Sequence, residues 1–327
     1  MCTALSLLTH DHYFGRTLDL ECSLGESVII TPRRFPLSFR FGETITEHPA
    51  IIGAGVVRGG YPLYYDAANE HGLAIAGLNF PGCAKYQRTG GTQNAASVAS
   101  FELIPWILGK CRTAHEAKAL LERTCVCDAA FSRELPPSPL HWMIADRDFC
   151  FIAEPLADGL MLHDNPAGVM TNSPAFDYHM IRLRDFMGLS PDAPQNTFAP
   201  SLPLTPYSRG AGAMGLPGDW SSSSRFIRAA YLRAHSVCEK TEEASVSQFF
   251  HILDAVFHVR GSVRVNGRQE ITQYAACCNT QKGVYYYTTY ENRAVTAVDL
   301  RAEDISSAHL TAYPFIAKMQ IFQQNIR

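Results

Sequence analysis

A cysteine stands at position 2, directly after Met1. Its side chain is small enough to be compatible with removal of Met1, which would leave a thiol and a free α-amine on one residue. An α-amine titrates at about 8, so a modest downward shift lets it take the thiol proton near neutral pH, and the thiolate can then attack an amide carbonyl. A retained Met1 would turn that nitrogen into an amide with no lone pair to offer. The chain is then expected to be inactive.

Gly15-Arg16-Thr17-Leu18-Asp19 follows a turn at His10-Asp11-His12. The spacing suits a hairpin that returns to the first strand and sets Arg16 and Asp19 beside Cys2. A guanidinium near sulfur favours the thiolate, and a carboxylate facing the α-amine orients it and holds its proton. An exposed Arg and Asp on a hairpin is the competing reading of the same residues. No GxSxG elbow, HExxH, GxxxxGK[ST] or strand-linked GxGxxG is present.

The elements that must position Cys2 alternate in blocks. Residues 3–9, 27–34, 51–58 and 73–79 read as strands, with Gly53, Gly55, Gly59 and Gly60 among the breaks. Helices are expected over 95–108 and from Thr113, where Thr113-Ala-His-Glu116 matches a capping box. After the prolines at 136–139, residues 140–145, 149–153, 160–163 and 168–171 suggest a meander. Residues 177–189, 223–236 and 245–257 carry helix-spaced apolar positions, the last opening with a second capping box at Ser245-Val-Ser-Gln248. Strands at 270–277, 283–290 and 295–300 close the chain. Blocks of strands and helices favour an α+β fold with antiparallel sheets over a doubly wound parallel one. The Pro- and Gly-rich segment 191–218 is too long for an ordinary connection and suits a cleft rim.

At 327 residues, 46% hydrophobic and 18% charged, with a formal net charge of -3, the chain can bury a sizeable core. Its basic residues form no stripe for a phosphate backbone, so nucleic acid is not an expected partner. No apolar run approaches the roughly 20 residues of a membrane span, and the first residues lack a signal-peptide pattern. A cytoplasmic protein without membrane attachment is expected. The ten cysteines lack the spacing of a zinc site and are expected to be free thiols, mostly buried; neither a metal nor a cofactor is expected.

MCTALSLLTHDHYFGRTLDLE resembles the start of the choloylglycine hydrolase family, which contains bile salt hydrolases and penicillin V acylases. Further blocks resemble the family in its order: Gly77-Leu78-Asn79-Phe80-Pro81-Gly82, Met170-Thr171-Asn172-Ser173-Pro174, Gly215-Leu216-Pro217-Gly218-Asp219 with Ser224-Arg225-Phe226, and Thr272-Gln273-Tyr274 onward. The resemblance covers nearly the whole chain. It implies an N-terminal-nucleophile (Ntn) hydrolase: one domain over 1–327, a four-layer αββα sandwich of two antiparallel sheets, and a homotetramer.

The resemblance also implies that Cys2 is the nucleophile, assisted by Arg16 and Asp19. Asn172 and the backbone N–H of Asn79 would form the oxyanion hole, and Arg225 is the remaining active-site arginine. Thr17 stands where many relatives carry Asn. Asn79 stands where bile salt hydrolases tend to have Asn and penicillin acylases Tyr, which favours conjugated bile salts as the small-molecule partner. Leu18, Phe131 and Leu135 align near the family's sterol-contacting segments. The conjugate's head group is anionic, so Ser208 and Arg209 in the long loop are candidates for holding a glycine carboxylate or, preferably, a taurine sulfonate. Competing readings are a penicillin V or acyl-homoserine lactone acylase, an inactive sterol- or amphiphile-binding protein, and a thiol redox or metal protein.

Overall fold

The computed structural model describes residues 1–88 and 96–325. The chain begins with the hairpin β1 (Cys2–Leu8) and β2 (His12–Leu20), followed by β3 (Ser27–Thr31), β4 (Ile51–Arg58), β5 (Tyr61–Asn69), β6 (Ala74–Asn79) and β7 (Ala96–Ala99). Helices α1 (Leu103–Lys110) and α2 (Ala114–Leu121) lead to β8 (Thr124–Cys127), β9 (Leu140–Ala145), β10 (Cys150–Leu156), β11 (Gly159–Asp164) and β12 (Val169–Met170). Then come α3 (Phe176–Arg182), α4 (Ser222–Ala234) and α5 (Glu242–Asp254). The chain ends with β13 (Val263–Val265), β14 (Arg268–Asn279), β15 (Val284–Thr289), β16 (Thr296–Asp299) and β17 (Thr311–Pro314).

Among the described residues the strands form two large antiparallel sheets and a two-stranded parallel one, β7-β8. One large sheet has the order β12-β1-β2-β14-β15-β16, with β13 on β14; the other runs β11-β10-β9-β6-β5-β4-β3-β17. Strand periodicity assigns the faces. Val28, Ile30, Ile52, Ala76 and Met143 of the second sheet belong to one buried cluster with Cys2, Leu5, Phe14 and Tyr274 of the first, and with Phe226, Phe249 and Leu253 of α4 and α5, which pack on the first sheet. The alternate residues Ile29, Ile51, Ile75, Trp142 and Ile144 pack with Leu103, Ile107, Ala117 and Leu121 of α1 and α2. The order of layers is helices, sheet, sheet, helices, which is the αββα sandwich expected. Each fully buried Ile, Leu or Phe in these clusters contributes roughly 1.5–3 kcal/mol, so the central layers holding β1 are the best-anchored part of the molecule.

The first hairpin forms as expected, closed by Thr9 N–H donating to Asp11 O. Its register pairs Cys2 with Leu18 and Ala4 with Arg16. Gly15 is required where β2 lies against β14, because a Cβ there would sit 1.9 Å from the carbonyl oxygen of Ala276.

Three local expectations change. Residues 96–99 form a strand parallel to β8 instead of the start of a helix, while Ala95 lies outside the described residues. The helix begins only at Leu103, which leaves Pro105 in the first turn, where its missing N–H costs nothing. Helix α5 begins at Glu242, capped by Thr241; Ser245 sits inside it and donates to Thr241 O. The helical periodicity of 177–189 yields a shorter α3 ending in a 3-10 turn over Leu183–Phe186.

Candidate active site

Cys2 opens β1 between the two sheets and is 1% exposed. Strand β2 brings Arg16, Leu18 and Asp19 alongside it. Arg16 and Asp19 are fully buried, so the exposed-hairpin reading of this pair does not hold. Arg16 donates through Nε to Thr17 O (3.1 Å) and through Nη1 to Tyr65 O (3.2 Å) and Gly77 O (2.5 Å). Its Nη2 has no hydrogen-bond partner among the described residues. Burial opposes its charge, yet Cys2, Tyr274, Asp66 and Asp19 together raise its pKa. A permanent cation beside the thiol favours the thiolate form.

Asp19 accepts from Thr272 Oγ1 at 2.6 Å and from Thr17 Oγ1 at 3.1 Å. Thr17 Oγ1 also accepts the Thr3 N–H (3.2 Å), so this threonine ties β1 to the carboxylate. Met1 is present, and its ammonium group donates to Asp19 O (2.7 Å) and Glu270 Oε2 (2.9 Å). In this form Cys2 N is a peptide N–H that donates to Asn172 Oδ1 at 2.8 Å.

Arg225 reaches the same oxygen from the start of α4. It is 0% exposed. Its guanidinium donates to Asn172 Oδ1 (2.7 Å), Cys2 O (2.5 Å), Thr3 Oγ1 (2.7 Å) and Trp220 O (3.0 Å). These four acceptors offset a burial that would otherwise be prohibitive for a charge and that lowers its pKa. Arg225 is therefore no helix-start surface charge.

Asn172 Nδ2 donates to Asn79 O at 2.7 Å. Phe80 N–H donates to Pro139 O, and Leu140 N–H turns to the Tyr86 hydroxyl. The Asn79 and Leu140 pair is therefore non-hydrogen-bonded, and both backbone groups of Asn79 point away from β9. Pairing of β5 with β6 ends at Asp66 and Ala76, so β5 does not take up the Asn79 N–H. This N–H and the second Nδ2 proton of Asn172 are two donors of the kind a developing oxyanion requires.

Cys2, Arg16, Gly77 and Asn79 line a cavity of about 310 Å³. Its walls are apolar: Leu18, Leu20, Val56, Leu63, Phe101, Phe131, Leu135 and Leu140, with Tyr65 and Arg58. The three expected wall residues Leu18, Phe131 and Leu135 all line it. Phe131 packs edge-to-face against Phe101 at 5.2 Å.

Ser208 and Arg209 are not brought to this cavity. Both are exposed, and the loop is pinned back on itself by Ser190 N–H donating to Gly212 O.

Among the lining residues the sequence did not point to are Leu63, Tyr64 and Tyr65 of β5. Pro62 interrupts its pattern, but this part of β5 is unpaired with β6, where a proline is tolerated. The alternating burial of Tyr61–Tyr65 follows the period-two signal of a strand. Among the described residues no group of His, Cys, Asp and Glu is placed to hold a metal.

Two antiparallel sheets between helical layers, with a cysteine beginning the central strand beside two donors, are the architecture of an Ntn amide hydrolase. The chain belongs to the choloylglycine hydrolase family of linear amide C–N hydrolases, whose sequence model matches residues 2–313. It is 45% identical over 326 residues to a bile salt hydrolase/transferase of Lactiplantibacillus plantarum, covering 99% of this chain and all of that one. A solved mutant conjugated bile acid hydrolase from Clostridium perfringens superposes with a TM-score of 0.91 at 34% identity, covering 99% of this chain and 100% of that one. Penicillin V acylase from Agrobacterium tumefaciens shares the fold, with a TM-score of 0.73 at 18% identity over 95% of this chain and 90% of that one.

Proposed function

We propose that the enzyme hydrolyses the amide bond of glycine- or taurine-conjugated bile salts, with Cys2 as nucleophile after removal of Met1. The observation that carries this reading is the largely apolar cavity that Cys2 lines. Its volume lies within the roughly 300–1,000 Å³ of small-molecule sites, and its walls suit a sterol body rather than a polar acyl chain. The names of the relatives above support the same substrate.

In the proposed reaction the freed Cys2 α-amine accepts the thiol proton and Sγ attacks the amide carbon. Asn79 N–H and Asn172 Nδ2 stabilise the resulting oxyanion. The C–N bond breaks, the α-ammonium returns the proton to the departing glycine or taurine nitrogen, and the bile acyl group remains as a thioester. Water, deprotonated by the α-amine, attacks the thioester carbon, and its collapse releases the bile acid and restores the thiol. Arg16 favours the thiolate, Asp19 orients the amine, and Arg225 fixes the Asn172 amide.

Residues 1–327 are proposed to act as one unit, because the site draws on both sheets and on α4. Among the described residues no helix is long and apolar enough to cross a membrane; the family resemblance supports a homotetramer in the cytoplasm, which sedimentation and cell fractionation would check.

The deciding experiment measures free glycine and taurine released from glycocholate and taurocholate, with penicillin V in parallel. Intact-chain mass spectrometry establishes Met1 loss, and Cys2→Ala is the control. Bile-salt turnover lost in Cys2→Ala is expected. Turnover of penicillin V alone would transfer the chain to the acylase reading, and no turnover by the processed chain would favour a binding protein.

A further inference from the structure

His141 lies in β9, 2% exposed, and makes no contact that the proposed reaction uses directly. Its Nε2 is 2.8 Å from the carbonyl oxygen of Thr171, the residue before Asn172. A carbonyl only accepts, so Nε2 carries a proton. Its Nδ1 is 3.0 Å from Glu154 Oε1. Glu154 is itself 0% exposed and receives the Phe176 N–H at 3.1 Å on both oxygens. Whichever of Nδ1 and Oε1 holds the proton between them, Nε2 remains a donor, so the Thr171 carbonyl fixes the ring's role and Glu154 its orientation.

The other contact of the ring is with the opposite half of the site. His141 stacks on Phe80 with centroids 4.2 Å apart and planes at 7°. Phe80 follows Asn79. One imidazole therefore touches both the residue after Asn79 and the residue before Asn172. His179 completes the support: its Nε2 is 3.0 Å from Asn172 O, and burial lowers its pKa, which favours the neutral ring.

We propose that His141 is a positioning residue that sets the spacing between the Asn79 N–H and the Asn172 amide, holding both donors where the oxyanion forms. The inference rests on the roles proposed for those two asparagines. A donor displaced by about 1 Å can cost on the order of 10²-fold in rate, so an imidazole touching both arms carries a large effect without touching substrate.

The test uses processed enzyme and p-nitrophenyl acetate, a small activated ester that does not depend on the sterol cavity. Cys2 Sγ bonds to the acetyl carbon, the C–O bond breaks, p-nitrophenolate leaves with the electron pair, and the thiol proton passes to the α-amine. His141→Phe keeps a stacking ring and loses the donor; His141→Gln keeps a donor.

Cys2 acylation is expected to slow about 10- to 100-fold in His141→Phe and to recover to within about fivefold of wild type in His141→Gln. Alkylation of Cys2 by iodoacetamide, which forms no oxyanion, should stay within about twofold in both. Acylation by His141→Phe at the wild-type rate would overturn the inference, as would His141→Gln as slow as His141→Phe or equal loss of alkylation and acylation. If wild type is acylated by the ester but releases no glycine or taurine from bile salts, the substrate reading fails and this one stands.

Discussion

Arg225 Nη2 sits 2.7 Å from Asn172 Oδ1, and the Cys2 N–H points at the same oxygen from 2.8 Å. Two donors on one atom fix which end of the amide is oxygen. Nδ2 must then face Asn79, as the 2.7 Å contact to Asn79 O shows. Asn172→Asp keeps the acceptor for Arg225 and removes the donor. It is expected to lower kcat by about 10²–10³, with circular dichroism unchanged; activity within tenfold of wild type would remove Asn172 from the oxyanion site.

Thr17 links the Thr3 N–H to Asp19 through one hydroxyl. Thr17→Val matches its shape but leaves a buried N–H and a carboxylate oxygen short of a partner, a loss of about 1–3 kcal/mol. Thr17→Ser should stay close to wild type. Urea midpoints of the two variants check this, and a Thr17→Val chain as stable as wild type would contradict it.

Phe131 forms part of the cavity wall and packs on Phe101. Phe131→Ala removes apolar contact on the order of 2 kcal/mol, so kcat/KM for glycocholate should fall about 10- to 50-fold. Acylation by p-nitrophenyl acetate should not change. Equal effects on both substrates would mean the wall does not hold the sterol.

Arg209 is exposed and lines no part of the Cys2 cavity. Arg209→Ala is therefore expected to leave the ratio of taurocholate to glycocholate turnover within about twofold, since a fully solvated cation contributes little. A selective loss of taurocholate turnover would show that the long loop closes over the head group during the reaction.

His12 is buried and contacts Ser6 Oγ and Thr280 Oγ1, both at 2.9 Å. Burial, opposed by Asp146 and reinforced by Arg233 and Arg147, pushes its pKa down to about 4. The native ring stays neutral while the unfolded chain takes up a proton below about 6.5. Its contribution to stability is thus present above that pH and is lost as pH falls toward about 4, by on the order of 3 kcal/mol. His12→Gln should show a shallower decline in urea midpoint between pH 7 and 4.5; an unchanged slope would refute the assignment.

The sequence by itself determined the nucleophile candidate, the first hairpin and the family. Cys2, Arg16 and Asp19 lie within one hairpin, and the turn at 10–12 sets their register locally. Asn79, Asn172 and Arg225 were legible only through resemblance, because each stands on a different strand, loop or helix far along the chain. Packing of the two sheets and α4 was needed to bring Arg225 Nη2 and Cys2 N onto one oxygen of Asn172.

Tertiary structure alone decided three other things. It showed that β5 exists despite Pro62, because this segment pairs with β4 alone and leaves its β6 side without a partner to miss the N–H. It left Ser208 and Arg209 away from the cavity, since a long loop carries no periodic signal of where it folds. It also placed His141 between Phe80 and Thr171, a contact set by the pairing of β6 with β9 that no local pattern of residues records. Short-range hydrogen bonding and strand periodicity are written along the chain; which distant donors share an acceptor is decided only when the layers pack.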